Sequence, residues 1–193
     1  MIIGLSGFAR TGKDTVATLL AEEYGFERLA FADKLREFLY ALNPVVSVQY
    51  ATIQGRPFPT FLQNVIDEFG WDGYKETKYK DEVRRLLQRL GTEAGRQTLY
   101  DTVWIDSAFD GVTGDKIAVT DPRFYNEFDA IRERDGIIWR IERPGVGPLN
   151  NHASETEATD YPHFTATILN DGSIEDLREK VRFTYELTTT KGI

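Results

Sequence analysis

Strand and helix signals alternate along 193 residues, which predicts an α/β fold of three layers: a central parallel five-stranded sheet with helices on both faces. Three observations carry that expectation. The apolar run Met1-Ile2-Ile3-Gly4-Leu5 leads directly into a glycine-framed loop, and Val16, Ala17, Leu19, Leu20 and Tyr24 follow at helical spacing. Two further short runs, Lys116-Ile117-Ala118-Val119-Thr120 and Gly136-Ile137-Ile138-Trp139-Arg140-Ile141, read as buried strands on either side of a helix marked by Phe128 and Ile131. Near the end, Ser173-Ile174-Glu175-Asp176 is a capping signal for a closing helix bearing Leu177, Val181 and Tyr185.

The remaining elements fall between these. Glu27 to Ala32 reads as the second strand, and Leu35, Phe38, Leu39 and Leu42 then recur at i, i+3, i+4, i+7 behind Asp33 as N-cap, with Asn43-Pro44 closing the helix. From Val45 to Tyr79 periodicity fades, and Gly55-Arg56-Pro57 and Gly70-Trp71-Asp72-Gly73 are turn signals, so the stretch reads as an insertion with little regular structure. Val83, Leu86, Leu87, Leu90 and Ala94 mark an amphipathic helix whose polar side carries Arg84, Arg85, Arg89 and, further on, Arg96. A short helix over 102–109 and a last strand from Thr165 to Leu169 complete the pattern. One domain is expected, with a core of about 1–43 and 116–193, an insertion of about 44–115 and an irregular polar stretch of about 144–162.

Composition narrows the function classes. The chain has no cysteine, which excludes disulfides and thiolate metal sites, and its two histidines, His152 and His163, do not suffice for a structural zinc. A reducing cytoplasm fits, and the first residues lack the basic and apolar regions of a secretory signal. A net charge of −8 argues against a nucleic-acid or membrane partner, both of which are held through basic surfaces. A small anionic ligand requires Arg and Lys to be concentrated around one cleft.

The loop supplies a reason for such a cleft. Gly7-Phe8-Ala9-Arg10-Thr11-Gly12-Lys13 has the G-x-x-x-x-G-K form of a P-loop, placed between a strand and a helix. Successive backbone N–H groups, the positive end of the helix and a mobile ammonium together cradle polyphosphate, so a nucleoside triphosphate is the expected ligand. The next position usually holds a Ser or Thr that ligates Mg²⁺, and here it is Asp14. That carboxylate either serves the metal, directly or through water, or is a first-turn acid complementing the helix dipole.

In this order the pieces resemble the nucleoside monophosphate kinases, and more closely the phage deoxynucleoside monophosphate kinases. The resemblance rests on Gly4-Leu5-Ser6-Gly7 through Lys13-Asp14-Thr15, Phe31-Ala32-Asp33-Lys34-Leu35, Leu86 to Glu93 with Gly95-Arg96, Thr120-Asp121-Pro122-Arg123-Phe124 with Asn126-Glu127, Arg140 to Gly145, Ser154 to Glu157, and Asn170 to Ser173. The resemblance implies transfer of the γ-phosphoryl of ATP, with Mg²⁺, to a deoxynucleoside monophosphate, on a P-loop core with a helical acceptor-binding insertion and a lid at 144–162. The expected compartment is the cytoplasm, that of the host if phage-encoded; oligomeric state is not readable from the sequence, and dimers are the commonest homo-oligomer.

The same resemblance assigns residues. Gly7, Ala9, Arg10, Thr11, Gly12, Lys13, Asp14 and Thr15 would surround the triphosphate, with Lys13 bridging β- and γ-phosphates and Thr15 touching the α-phosphate. Asp121 and Asp14 would serve the metal, and Arg123 either clamps the acceptor phosphate or forms a surface salt bridge to Glu127. Asp33 either faces the acceptor or caps its helix, and Arg89 and Arg96 either join the acceptor side or pair with Glu82 and Glu93. Trp71, Tyr74 and Trp104 are candidates for stacking on a base or for packing. Between Pro144 and Pro162 there is no Arg or Lys, so the transferring phosphoryl falls to Arg140, Arg143 or Arg10, while His152, Ser154 and Glu155 either organise the lid or form a solvated cap. Asn170 and Gly172 lie in the turn expected beside adenine. Competing readings are small-metabolite kinases like phosphomevalonate kinase or dephospho-CoA kinase, and a nucleotide-dependent switch or assembly ATPase.

Overall fold

A computed structural model describes residues 1–50, 57–147 and 161–190. Residues 148–160, which hold most of the stretch expected as a lid, with His152, Ser154 and Glu155, lie outside the described residues. The chain forms two compact units, Met1–Phe31 with Ala108–Ile193, and Ala32–Ser107.

The first unit is built on five parallel strands: β1 (Ile2–Ser6), β2 (Glu27–Leu29), β5 (Ile117–Val119), β6 (Ile137–Glu142) and β7 (Ala166–Leu169). They lie in the order β2-β5-β1-β6-β7, so β1, the first strand made, is central. A strand buried on both faces needs apolar residues at nearly every position, and Ile3, Leu5, Ile117, Val119, Ile138 and Ile141 are all at most 3% exposed. On one face Ile3, Leu5, Trp139, Ile141 and Ile168 pack against Val16, Leu19 and Leu20 of α1 (Lys13–Tyr24) and Leu177 and Val181 of α7 (Ile174–Thr190). Each aliphatic side chain so buried contributes about 1.5–3 kcal/mol. On the other face Ile131 of α6 (Tyr125–Arg132) lies over Gly4, and Phe128 stacks on Tyr161 at 4.5 Å.

Local signals explain the helix ends. Gly25 takes a left-handed conformation after α1 and its N–H returns to the Ala21 carbonyl, while Ser173 and Asp176 cap α7 reciprocally at 2.8 and 3.2 Å. Glu23 of α1 accepts from Arg182 and Arg178 of α7, each at 2.7 Å, and these hydrogen bonds hold its carboxyl below the usual glutamate range despite the opposing effect of burial.

The second unit contains most of α2 (Phe31–Leu42), an antiparallel pair β3 (Val45–Tyr50) and β4 (Pro57–Phe61), α3 (Leu62–Gly73), a 3₁₀ turn (Tyr74–Glu76), α4 (Lys80–Gln88), a π-helical stretch (Arg89–Gln97) and the start of α5 (Val103–Phe109). Leu39, Val46, Leu62, Val65, Ile66, Tyr74 and Val83 form its core.

Three expectations are corrected here. The stretch 45–79 is not irregular: it holds two strands and a helix, which breaks its helical dihedrals at Gly70 (φ 70°). Asp33 is not an N-cap, because β2 ends at Leu29 and α2 already begins at Phe31. The first N–H of that helix is instead capped by Asp121, whose Oδ1 lies 2.8 Å from the Phe31 nitrogen. The helix expected through Ala94 ends as α-helix at Gln88 and continues in π geometry. Among the described residues no helix is long and apolar enough to cross a membrane.

Candidate active site

Residues 7–12 connect the carboxyl end of β1 to α1. Gly7 (φ 143°) and Gly12 (φ 105°) adopt conformations that an L side chain rarely takes. Space forbids a side chain as well: a Cβ on Gly7 would lie 2.3 Å from the Ile141 carbonyl oxygen, and one on Gly12 would lie 2.5 Å from Asn170 Nδ2. Asn170 braces the loop from β7's end, donating Nδ2–H to the Thr11 carbonyl at 2.8 Å, and Thr11 Oγ1 donates to the Phe8 carbonyl at 2.9 Å. Gly12→Ala is expected to lower stability by about 1–3 kcal/mol and to weaken triphosphate binding, measured by denaturant unfolding and by calorimetric titration.

In front of this loop lies a cavity of about 310 Å³, at the carboxyl ends of the strands where open α/β sheets bind ligands. Its wall combines residues 6–9 and Lys13 with residues 121–123 after β5 and 140–144 from the end of β6 onward. Lys13, Arg123, Arg140 and Arg143 face Asp121 and Glu142 there, so a chain of net charge −8 presents a cationic excess at this one place. Lys13 extends back over the loop and donates Nζ–H to the Gly7 and Phe8 carbonyls at 2.6 and 2.8 Å.

Each cation is held differently. Arg123 is exposed, but its backbone N–H donates to Glu127 Oε2 at 2.6 Å, and Glu127 is only 3% exposed. Because this buried carboxylate also accepts from the Phe124 N–H at 3.2 Å, it caps α6 and fixes the chain at Arg123. Arg140 Nε lies 2.8 Å from Glu142 Oε1, with its guanidinium 5.4 Å from the Phe164 ring centre, whereas Arg143 is exposed. Arg10 is exposed at the top of the loop with φ 68°, and Asp14 is exposed in the first turn of α1. Asp121 gives one oxygen to the start of α2 while lining the cavity.

The structure thus gathers Gly7, Ala9, Lys13, Asp121, Arg123, Arg140 and Arg143 at one cavity. Thr15 follows in α1, and Gly172 sits in the turn before α7, where a Cβ would meet Asp176 Oδ2 at 2.4 Å. The remaining named residues belong to the second unit. Asp33 accepts from Arg36 at 3.0 Å, Arg89 lies 3.3 Å from Glu93, and Arg96 donates to the Asp101 carbonyl at 3.4 Å. Trp104 is 8% exposed and donates its indole N–H to the Gly91 carbonyl at 2.9 Å, the arrangement of a packed residue. Sequence reasoning missed Ser6, Glu142 and the side chain of Asn170. A polar residue ending an apolar run was the one available signal for Ser6.

A parallel sheet with its first strand central, a G-x-x-x-x-G-K loop behind that strand and a basic cavity in front of it define a P-loop α/β protein. Residues 71–181, more than half of the chain, match the family model for deoxynucleotide monophosphate kinase, and the chain belongs to that family; it is a phosphotransferase. It is 26% identical over 199 residues to a protein of Acanthamoeba polyphaga mimivirus named "Putative deoxynucleotide monophosphate kinase", with 94% of each chain covered. Among solved structures it is similar to shikimate kinase from Aquifex aeolicus (12% identity, all of both chains covered, TM-score 0.48). Dephospho-CoA kinase from Campylobacter jejuni is another such neighbour (14% identity, 98% and 97% covered, TM-score 0.46).

Proposed function

We propose that this enzyme transfers the γ-phosphoryl group of ATP to the 5′-phosphate of a deoxynucleoside monophosphate, yielding the diphosphate and ADP. Membership of the family supports the substrate class, and the observation that carries the reading is the cationic cavity formed by Lys13, Arg123, Arg140 and Arg143 beside the glycine loop.

Phosphoryl transfer passes through a loose transition state with charge spread over the moving oxygens, so positioned cations do most of the catalysis. Backbone N–H groups from Ala9 to Thr15 take the triphosphate, and Thr15 takes the α-phosphate. Lys13 exchanges its loop carbonyls for β- and γ-oxygens. Arg123 holds the acceptor phosphate through its two-pronged guanidinium. Arg140 and Arg143, with Arg10 across the loop, balance charge at the group in flight. Asn170 and Gly172 form the turn beside adenine, while Asp33, Arg89 and Arg96 serve the acceptor.

The residues fit Mg²⁺. No group of three or more acidic or histidine ligands occurs among the described residues, and Mg²⁺ bound to a nucleotide needs only one or two carboxylates because phosphate and water supply the rest. Asp14 and Asp121 are the carboxylates available at the loop, and the ion would supply charge neutralisation across the β- and γ-phosphates.

The decisive experiment follows ADP release with dAMP, dGMP, dCMP, dTMP and their ribonucleotide counterparts, with dephospho-CoA and phosphomevalonate as further acceptors. Turnover is expected with at least one deoxynucleotide, above that of its ribonucleotide. Turnover confined to a non-nucleotide acceptor, or absent with all of them, overturns the reading.

A further inference from the structure

Ser6 is the last residue of β1 and is 1% exposed, yet its hydroxyl has no hydrogen-bond partner among the described atoms. An orphaned buried hydroxyl is costly, and one at the wall of a cavity can be completed by a group that enters the cavity. Here the residue lines the cavity already described.

Its neighbours give the hydroxyl a direction. Ser6 is paired with Arg140 in the β1–β6 ladder, and residues paired across parallel strands share a face. The β1–β5 ladder ends with Gly4 opposite Val119, and two residues further along each chain come Ser6 and Asp121. Leu5, Trp139 and Ile141 occupy the opposite face, packed on α1 and α7. Asp121, Ser6 and Arg140 thus follow one another across the carboxyl ends of three neighbouring strands, and all three line the cavity together with Arg123.

Position 14, where P-loops usually carry an alcohol, holds Asp14, so the loop–helix junction supplies no hydroxyl there. Ser6 is the sole alcohol on the cavity wall among the described residues. We infer that the Ser6 hydroxyl donates a hydrogen bond to an oxygen of the phosphoryl group in transfer, between Asp121 and Arg140. The inference rests on the phosphoryl-transfer reading above. Lys13 donates to the carbonyls of Gly7 and Phe8, the two residues that follow Ser6.

The test compares wild type with Ser6→Ala and Ser6→Cys, using ATP, Mg²⁺ and whichever deoxynucleotide the acceptor panel identifies. Ser6→Ala is expected to lower kcat and kcat/KM together by about 10- to 100-fold, as loss of a bond to a charged group made only in the transition state requires. The ATP dissociation constant measured without acceptor should stay within about twofold. Thermal unfolding of the ligand-free variant should be unchanged or shifted upward, because the substitution removes an unsatisfied buried group. Ser6→Cys, of similar size and with a weak donor, should fall between the two. Wild-type kcat in Ser6→Ala overturns the inference, as does a lowered unfolding temperature with activity lost in proportion in both variants, which is the mark of a packing role. Absence of transfer by the wild type with every deoxynucleotide would instead remove the functional reading on which it rests.

Discussion

Lys13→Met is expected to reduce kcat on the order of 10³-fold while leaving the unfolding temperature close to that of the wild type. The ammonium is half-buried and bonded to two loop carbonyls, Gly7 and Phe8, at 2.6 and 2.8 Å. Those carbonyls lie in a surface loop where water can replace the lost donor, so folding changes little. The charge itself has no such substitute. In a site closed to water, a cation moving with the β- and γ-oxygens offsets negative charge that builds only as the bond breaks, and methionine of similar length keeps the packing but not the field. Arginine at the same position should fail nearly as badly, since its wide planar head does not fit where a compact ammonium turns within the loop. Steady-state ADP release and differential scanning calorimetry on the same samples check both halves. A variant retaining a tenth or more of wild-type kcat would remove Lys13 from the chemistry.

Arg123→Lys should lower kcat/KM for the deoxynucleotide on the order of 10²-fold with no change in the dissociation constant for ATP alone. Its charge is conserved, so a purely long-range electrostatic role would be spared by the substitution; the expected loss comes from geometry, because one ammonium cannot grip two phosphate oxygens in a plane. The backbone at this position is fixed by Glu127, a carboxylate 3% exposed, through the N–H groups of Arg123 and Phe124, so the side chain starts from a rigid base. The exposed guanidinium contributes little to stability, and the unfolding temperature should not move. Near-normal acceptor kinetics in this variant would return Arg123 to the solvent-facing surface.

Much of the first unit was legible because its strands are central. Ile2 to Leu5, Ile117 to Val119 and Ile137 to Ile141 are continuous apolar runs, and α1 follows a glycine loop whose chemistry is local. The second unit was harder for a physical reason. Val45, Val48, Phe58 and Phe61 are all at least 39% exposed, so β3 and β4 show no clean alternation of buried apolar and exposed polar positions. The π-helical run Arg89–Gln97 keeps hydrophobic spacing close to that of an α-helix, and nothing in the spacing announces an i→i+5 pattern. Asp33 reads as a cap in the sequence because the residue that does cap the helix, Asp121, lies 90 residues from Phe31 in sequence. The loop and the arginines of the cavity were readable from motifs, whereas the bracing of the loop by Asn170 and the orphaned hydroxyl of Ser6 arise from contacts that only the folded sheet creates.

Trp139 is wholly buried next to Arg140 in β6, whereas the other two tryptophans, Trp71 and Trp104, belong to the second unit. Its indole N–H has no hydrogen-bond partner among the described residues. Nature has in effect sorted the fluorophores by unit: exchanging Trp71 and Trp104 for phenylalanine would leave a single blue-emitting indole in the strand that lines the cationic cavity. Filling of that cavity could then be followed by intrinsic emission, in real time and with no dye attached.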